Sequence, residues 1–163
     1  MRATAINHVS IPAVDVEELC RFYQDVLGLE RIPAPNFGFP VAWLKVGALQ
    51  LHLYQVAERP PHSNQHLGLE VDDFEGMFRR LKEQGVLEQG RFGGLFVLAS
   101  GQVQLYFRDP EDNLVEIDHP DVATLDLDVF EGAIQQLGDM FPQDGENLQA
   151  RLFLAPDRAG APA

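Results

Sequence analysis

Cysteine is nearly absent from this 163-residue chain, which holds only Cys20. An intramolecular disulfide is excluded, and a reducing compartment is the expectation. Positive charge is also scarce: 12 Lys and Arg face 25 Asp and Glu, for a net charge of −13. A surface of that sign repels phosphate backbones and anionic lipid headgroups. The densest basic stretch, Arg79-Arg80 with Lys82, reads as the polar face of a helix, so no nucleic-acid partner is expected. No apolar run approaches the roughly 20 residues needed to span a bilayer. The first residues carry neither the apolar stretch of a secretion signal nor the Arg and Ser content of a transit peptide. The expectation is a soluble, cytoplasmic protein with no membrane partner.

What is present is a core-forming composition, 45% hydrophobic and 23% charged, at a length that suits one domain of roughly 100–200 residues. Only the Ala- and Pro-rich stretch from Ala155 to Ala163 reads as a flexible tail. The chain up to residue 119 is written twice. Ile6-Asn7-His8-Val9-Ser10-Ile11 and His66-Leu67-Gly68-Leu69-Glu70-Val71 are both short strands carrying a histidine, and each runs through an acidic turn into an amphipathic helix that stops at a glycine, Gly28 or Gly85. In the first helix Val16, Leu19, Tyr23, Val26 and Leu27 share one face, with Asp15 and Glu18 at capping-box spacing; Phe74, Met77, Phe78 and Leu81 repeat the design behind Asp72 and Glu75. Cys20, beside the first stripe, reads as a small buried hydrophobe.

Each copy closes with strands: Val41 to Val46 and Leu49 to Tyr54 in the first, Leu95 to Leu98, Val103 to Phe107 and Leu114 to Asp118 in the second, where Asp109-Pro110-Glu111-Asp112-Asn113 supplies a turn. The fold class expected is α+β: paired βαβββ modules forming a curved mixed sheet cleft, plus a C-terminal helical extension. Module one spans 1–56 and module two 66–119 of a domain covering 1–119, and the extension covers 120–163. A helix over about 128–141 is expected there, because Phe130, Ala133, Ile134, Leu137 and Phe141 share one face and Asp128 and Glu131 have capping-box spacing.

Strand periodicity of two places His8 with Ser10, His52 with Gln50 and Tyr54, His66 with Gly68 and Glu70, and Glu116 with Asp118, in each case opposite an apolar set. A single such histidine is more often a hydrogen-bonded, half-buried residue than a ligand, but His8, His52, His66 and Glu116 at matched places in a duplication point to a metal site. Three imidazoles and one carboxylate suit a divalent first-row ion, Fe, Ni, Co, Mn or Zn; magnesium and calcium would want more oxygen ligands. His62 and His119 have no repeat partner and read as surface histidines. Glu70, and after it Tyr54, are the candidate groups for moving a proton. Arg91 and Arg108 are candidates for pairing an anionic substrate, and Arg91-Phe92-Gly93-Gly94 for a lid.

These motifs, with the Phe22-Tyr23-Gln24-Asp25-Val26-Leu27-Gly28-Leu29 helix end, resemble the vicinal oxygen chelate superfamily over residues 6 to 118. That superfamily includes glyoxalase I, fosfomycin-resistance thiol transferases, methylmalonyl-CoA epimerase, extradiol dioxygenases and metal-free bleomycin-resistance proteins. The resemblance implies ligands from the first and last strands of each module, mapping onto His8, His52, His66 and Glu116, within one chain or across a homodimer in which each subunit donates one module. It also implies bidentate chelation of adjacent oxygens on a small-molecule substrate. His52 departs from the glutamate that many glyoxalase I enzymes carry. The leading expectation is a metal-dependent isomerase, epimerase or lyase; the rivals are an Fe(II) extradiol dioxygenase and a metal-free ligand-sequestering protein.

Overall fold

The computed structural model describes residues 3, 5–61 and 63–153. His62 and the expected flexible tail from Ala155 lie outside the described residues. Module one contains β1 (His8–Ala13), α1 (Val16–Leu27), β2 (Glu30–Ile32), β3 (Val41–Val46) and β4 (Leu49–Gln55), and its sheet runs β1-β4-β3-β2. Module two repeats this with β5 (His66–Glu70), α2 (Phe74–Glu83), β6 (Leu95–Val97), β7 (Val103–Arg108) and β8 (Leu114–His119), ordered β5-β8-β7-β6. In both, the first and last strands pair in parallel and the others antiparallel. The α+β class and the paired βαβββ modules are as the sequence reads.

The helices form where their caps and stripes place them. Asp15 accepts from the Glu18 backbone N–H at 2.9 Å, and Gly28 closes α1 at φ 69°, a left-handed conformation that costs glycine least. In α2 the cap is Asp73, accepting from the Gly76 N–H at 2.8 Å, rather than Asp72. Leu19, Tyr23, Leu81, Leu51, Leu53, Leu105 and Ile117 are among the buried side chains of one core shared by both modules. Each such side chain contributes about 1.5–3 kcal/mol by leaving water. Cys20 lies in that core, and burial pushes its thiol up.

The β7–β8 turn locks the modules together. Asp109 accepts from the Tyr23 hydroxyl at 2.9 Å and from the backbone N–H groups of Glu111 and Asn113. Glu111 accepts from the N–H groups of Val14 and Asp15 through one oxygen and from Arg59 through the other. Module two thereby holds the entry to the helix of module one.

The expected helix over 128–141 does not form as one element. A 3₁₀ turn covers Leu127–Phe130; Glu131 (φ 51°) and Gly132 (φ 79°) then both adopt left-handed backbone, which ends a right-handed helix. The chain continues as β9 (Ile134–Gln136), which pairs in parallel with β6 and covers the outer edge of sheet two, and then makes a single helical turn, α3 (Leu137–Met140). The helical spacing is satisfied otherwise: Phe130 packs on Phe74 and Phe78, and Ile134 reaches the core from a strand.

Candidate functional site

On the sheet faces turned away from the buried Leu and Val side chains, in-register pairing aligns the candidate residues. On sheet one Ser10 pairs with His52 and His52 with Trp43; on sheet two Gly68 pairs with Glu116 and Glu116 with Tyr106. Strands β1 and β5 are the sheet edges that face each other, and two cavities lie between them. One, of about 530 Å³, is lined by Pro12, Tyr54, His66 and Leu114 among others; the second, of about 520 Å³, by Val9, Gln50, Gly68 and Glu70 among others. The Pro12 end of β1 lies by the start of β5, so the strands pass in opposite senses, as a pseudo-twofold relation requires.

Within one chain the four ligand candidates form two pairs rather than one quartet, because β1 and β5 belong to separate sheets with no ladder between them. Among the described residues, no three His, Cys, Asp or Glu side chains are placed to hold a metal ion. On sheet one the His8 and His52 rings stack, centroids 4.3 Å apart and 14° from parallel. His8 Nδ1 lies 2.5 Å from Asn7 Oδ1, and His52 Nε2 lies 2.8 Å from Gln50 Oε1. Both partners are acceptors, so these nitrogens carry the hydrogens, leaving His8 Nε2 and His52 Nδ1 bare. Burial first, and then His8, hold the His52 imidazole below the usual histidine range.

On sheet two the His66 Nδ1–H donates to the Asn64 carbonyl at 2.9 Å. A hydrogen bond from Nδ1–H to a carbonyl leaves Nε2 bare, as in metal-binding histidines. His66 Nε2 lies 2.9 Å from Glu116 Oε2. Two acceptors at that distance repel unless a proton or a cation lies with them, so the donor set fits a metal ion. Glu116 is buried and also receives Gln104 Nε2 and the Tyr106 hydroxyl. Burial, and then hydrogen bonding to Glu116, push the Tyr106 phenol well up. Asp118, buried beside Glu116, is pushed up to about 8 by burial first, then by its hydrogen bond to Glu116 and by the charges of Glu116 and Glu70.

Glu70 is exposed on the inward face in register with Asp118, and Tyr54 shares its cavity with His66. Sequence periodicity places Asp118 on the Glu116 face without giving it a role, and the alternation of β7 adds Gln104 and Tyr106 to that face. Their signal is weak because any polar residue on an inward strand face looks the same until a partner is known. Arg108 is bound to Glu88 at 2.6 Å and to the Asp112 carbonyl, bracing the turn. The expected lid at Gly93-Gly94 is pinned: Gln135 Nε2 donates to the Gly93 carbonyl, and a Cβ on Gly94 would fall 2.7 Å from that nitrogen. His119 is half-buried against Phe74 and hydrogen-bonded to Thr124, not a free surface histidine.

A duplicated βαβββ unit with histidines opening both modules is decisive together with the family model that matches residues 5–117. The chain belongs to the Glyoxalase/Bleomycin resistance protein/Dioxygenase superfamily. Glyoxylase I 4 of Arabidopsis thaliana is 29% identical over 133 residues, covering 72% of this chain and 71% of the plant protein. The lactoylglutathione lyase of Agrobacterium tumefaciens superposes with a TM-score of 0.57 at 20% identity, covering 77% of this chain and 100% of that one. The fosfomycin resistance protein FosX of Listeria monocytogenes gives 0.56 at 14% identity, covering 72% and 93%. At these identities the solved structures establish the fold alone. No helix among the described residues is long and apolar enough to cross a membrane.

Proposed function

We propose that this superfamily member is a divalent-metal-dependent lyase or isomerase of glyoxalase type acting on a small substrate with adjacent oxygens. The observation that carries the reading is the approach of His66 Nε2 to Glu116 Oε2 at 2.9 Å with Nδ1 already committed to a carbonyl. His8 and His52 would supply the remaining ligands, and because one chain keeps the pairs apart, the site is completed by a second copy. The ion, one of Fe, Ni, Co, Mn or Zn, would supply Lewis acidity toward the chelated oxygens. The chain does the rest. The Glu70 carboxylate takes the proton from the substrate carbon beside the oxygens and returns it to the neighbouring position, and the Tyr54 hydroxyl, from the adjoining cavity it lines with His66, orients the substrate.

Metal analysis of protein purified without added metal tests this. About one equivalent of Ni, Co, Mn or Zn per site supports it; iron with oxygen uptake favours the dioxygenase, and a metal-free native protein favours the sequestering protein. The shared site has its own test. His8→Ala and Glu116→Ala variants should each lose metal while keeping helical circular dichroism, and unfolding and refolding them together should restore one intact site in the mixed dimers. Failure of the mixture to regain any metal, with dimers present, would argue for a site within one chain.

A further inference from the structure

We infer that the substrate of this site carries a flat aromatic ring next to its paired oxygens, and that the ring lies against an open stack of side chains on module one. The inference rests on the metal-site reading above. The stack is continuous with the candidate ligands: Trp43 lies 4.1 Å from His52 at 3° from parallel, and His52 stacks in turn on His8. Phe37 lies 6.3 Å from Trp43, tilted by 43°, and 6.0 Å from Phe39. These spacings are those of favourable aromatic contact. Phe37 and Phe39 are 53% and 50% exposed.

The loop that presents them is built to do so. Pro33, Pro35 and Pro40 restrict its backbone, and the Asn36 side chain accepts from the Gly38 N–H at 2.8 Å, with Gly38 at φ 79°. Both phenyl rings are thus held outside the core of their own chain, in aromatic contact with Trp43, which stacks on His52. Module two lacks this opening, because Phe92 and Phe96 are packed against Tyr106. Charge points the same way. The chain carries a net charge of −13, and Arg31, Arg59 and Arg108 are each bound to a carboxylate, which disfavours a substrate bearing several anionic groups.

Mandelate and lactate test the inference, since both present the same hydroxyl and carboxylate oxygens and differ by a phenyl for a methyl. Affinities are measured by calorimetry on the metal-loaded protein, and Trp43, the only tryptophan, reports contact through fluorescence quenching. Mandelate is expected to bind at least about tenfold tighter and to quench Trp43. A Phe37→Ala, Phe39→Ala double variant, altered only on an exposed loop, should keep its metal and bring the ratio close to one. Equal affinities in the native protein, no mandelate binding at millimolar concentration, or a ratio unmoved in the double variant would overturn it. Chelator treatment separates this from failure of the metal reading. If only the metal reading fails, mandelate keeps its advantage with affinity unaltered by chelator; if only the ring inference fails, both acids bind equally and only to the metal-loaded protein.

Discussion

Two carboxyl groups of sheet two have opposite situations, and each gives a test at the residue scale. Glu70 is exposed and faces the cleft. Glu70→Gln preserves size and polarity, so metal content should be unchanged while turnover on an identified substrate falls by around 10²–10⁴-fold, the usual contribution of a positioned acid or base; unaltered turnover would remove Glu70 from the mechanism. Asp118 is buried and its acid form persists to about pH 8. The folded protein therefore binds this proton more tightly than the unfolded chain does. Its contribution to stability is complete below the ordinary aspartate range and is lost as pH rises toward about 8. In metal-free protein the thermal midpoint of Asp118→Asn should fall less between pH 5 and 8 than that of the native chain, because the amide does not titrate. Parallel melting curves for the two would contradict this.

Among the elements, the C-terminal extension shows most clearly how local backbone overrides periodicity. Phe130, Ile134 and Leu137 have helical spacing, yet Gly132 at φ 79° turns the chain so that β9 can pair with β6. Nothing lies within 4 Å of a Cβ built on Gly132, so a Gly132→Ala change tests conformation alone. It should destabilise the protein by about 1–2 kcal/mol, the cost of left-handed backbone in a residue with a Cβ, measured by urea unfolding. Equal stability would mean that the turn relaxes freely. The edge that β9 covers has its counterpart in β2 of module one, which among the described residues pairs only with β3.

For the whole molecule the decisive feature is the Glu111 carboxylate, buried and holding two backbone N–H groups of module one and Arg59. Glu111→Ala removes the buried acceptor that those two N–H groups and Arg59 share, a loss of hydrogen bonds to a charged group of about 1–3 kcal/mol. A lowered denaturation midpoint with increased protease sensitivity near the β1–α1 junction is expected. An unchanged midpoint would show that the shared core alone joins the modules. This clamp fixes how the two modules of one chain sit against each other.

Much of this was legible beforehand, and the reason is repetition. The periods of two and 3.6, the Asp15 cap, the Gly28 and Gly85 stops and the Asp109–Asn113 turn are local signals, and their recurrence in two copies identified both long helices, the strands other than Glu30–Ile32 and Ile134–Gln136, and the faces bearing His8, His52, His66 and Glu116. Local signals carry no distances between elements. That Glu116 gathers His66, Gln104, Tyr106 and Asp118 depends on the register of β5, β7 and β8. That Phe37 and Phe39 extend the His52 stack depends on a loop whose path no periodicity describes. That the two pairs of candidate residues stay apart in one chain depends on how two sheets pack around a common core. Chain-local chemistry therefore determined the modules and their candidate ligands, while long-range pairing and packing decided which of those residues meet.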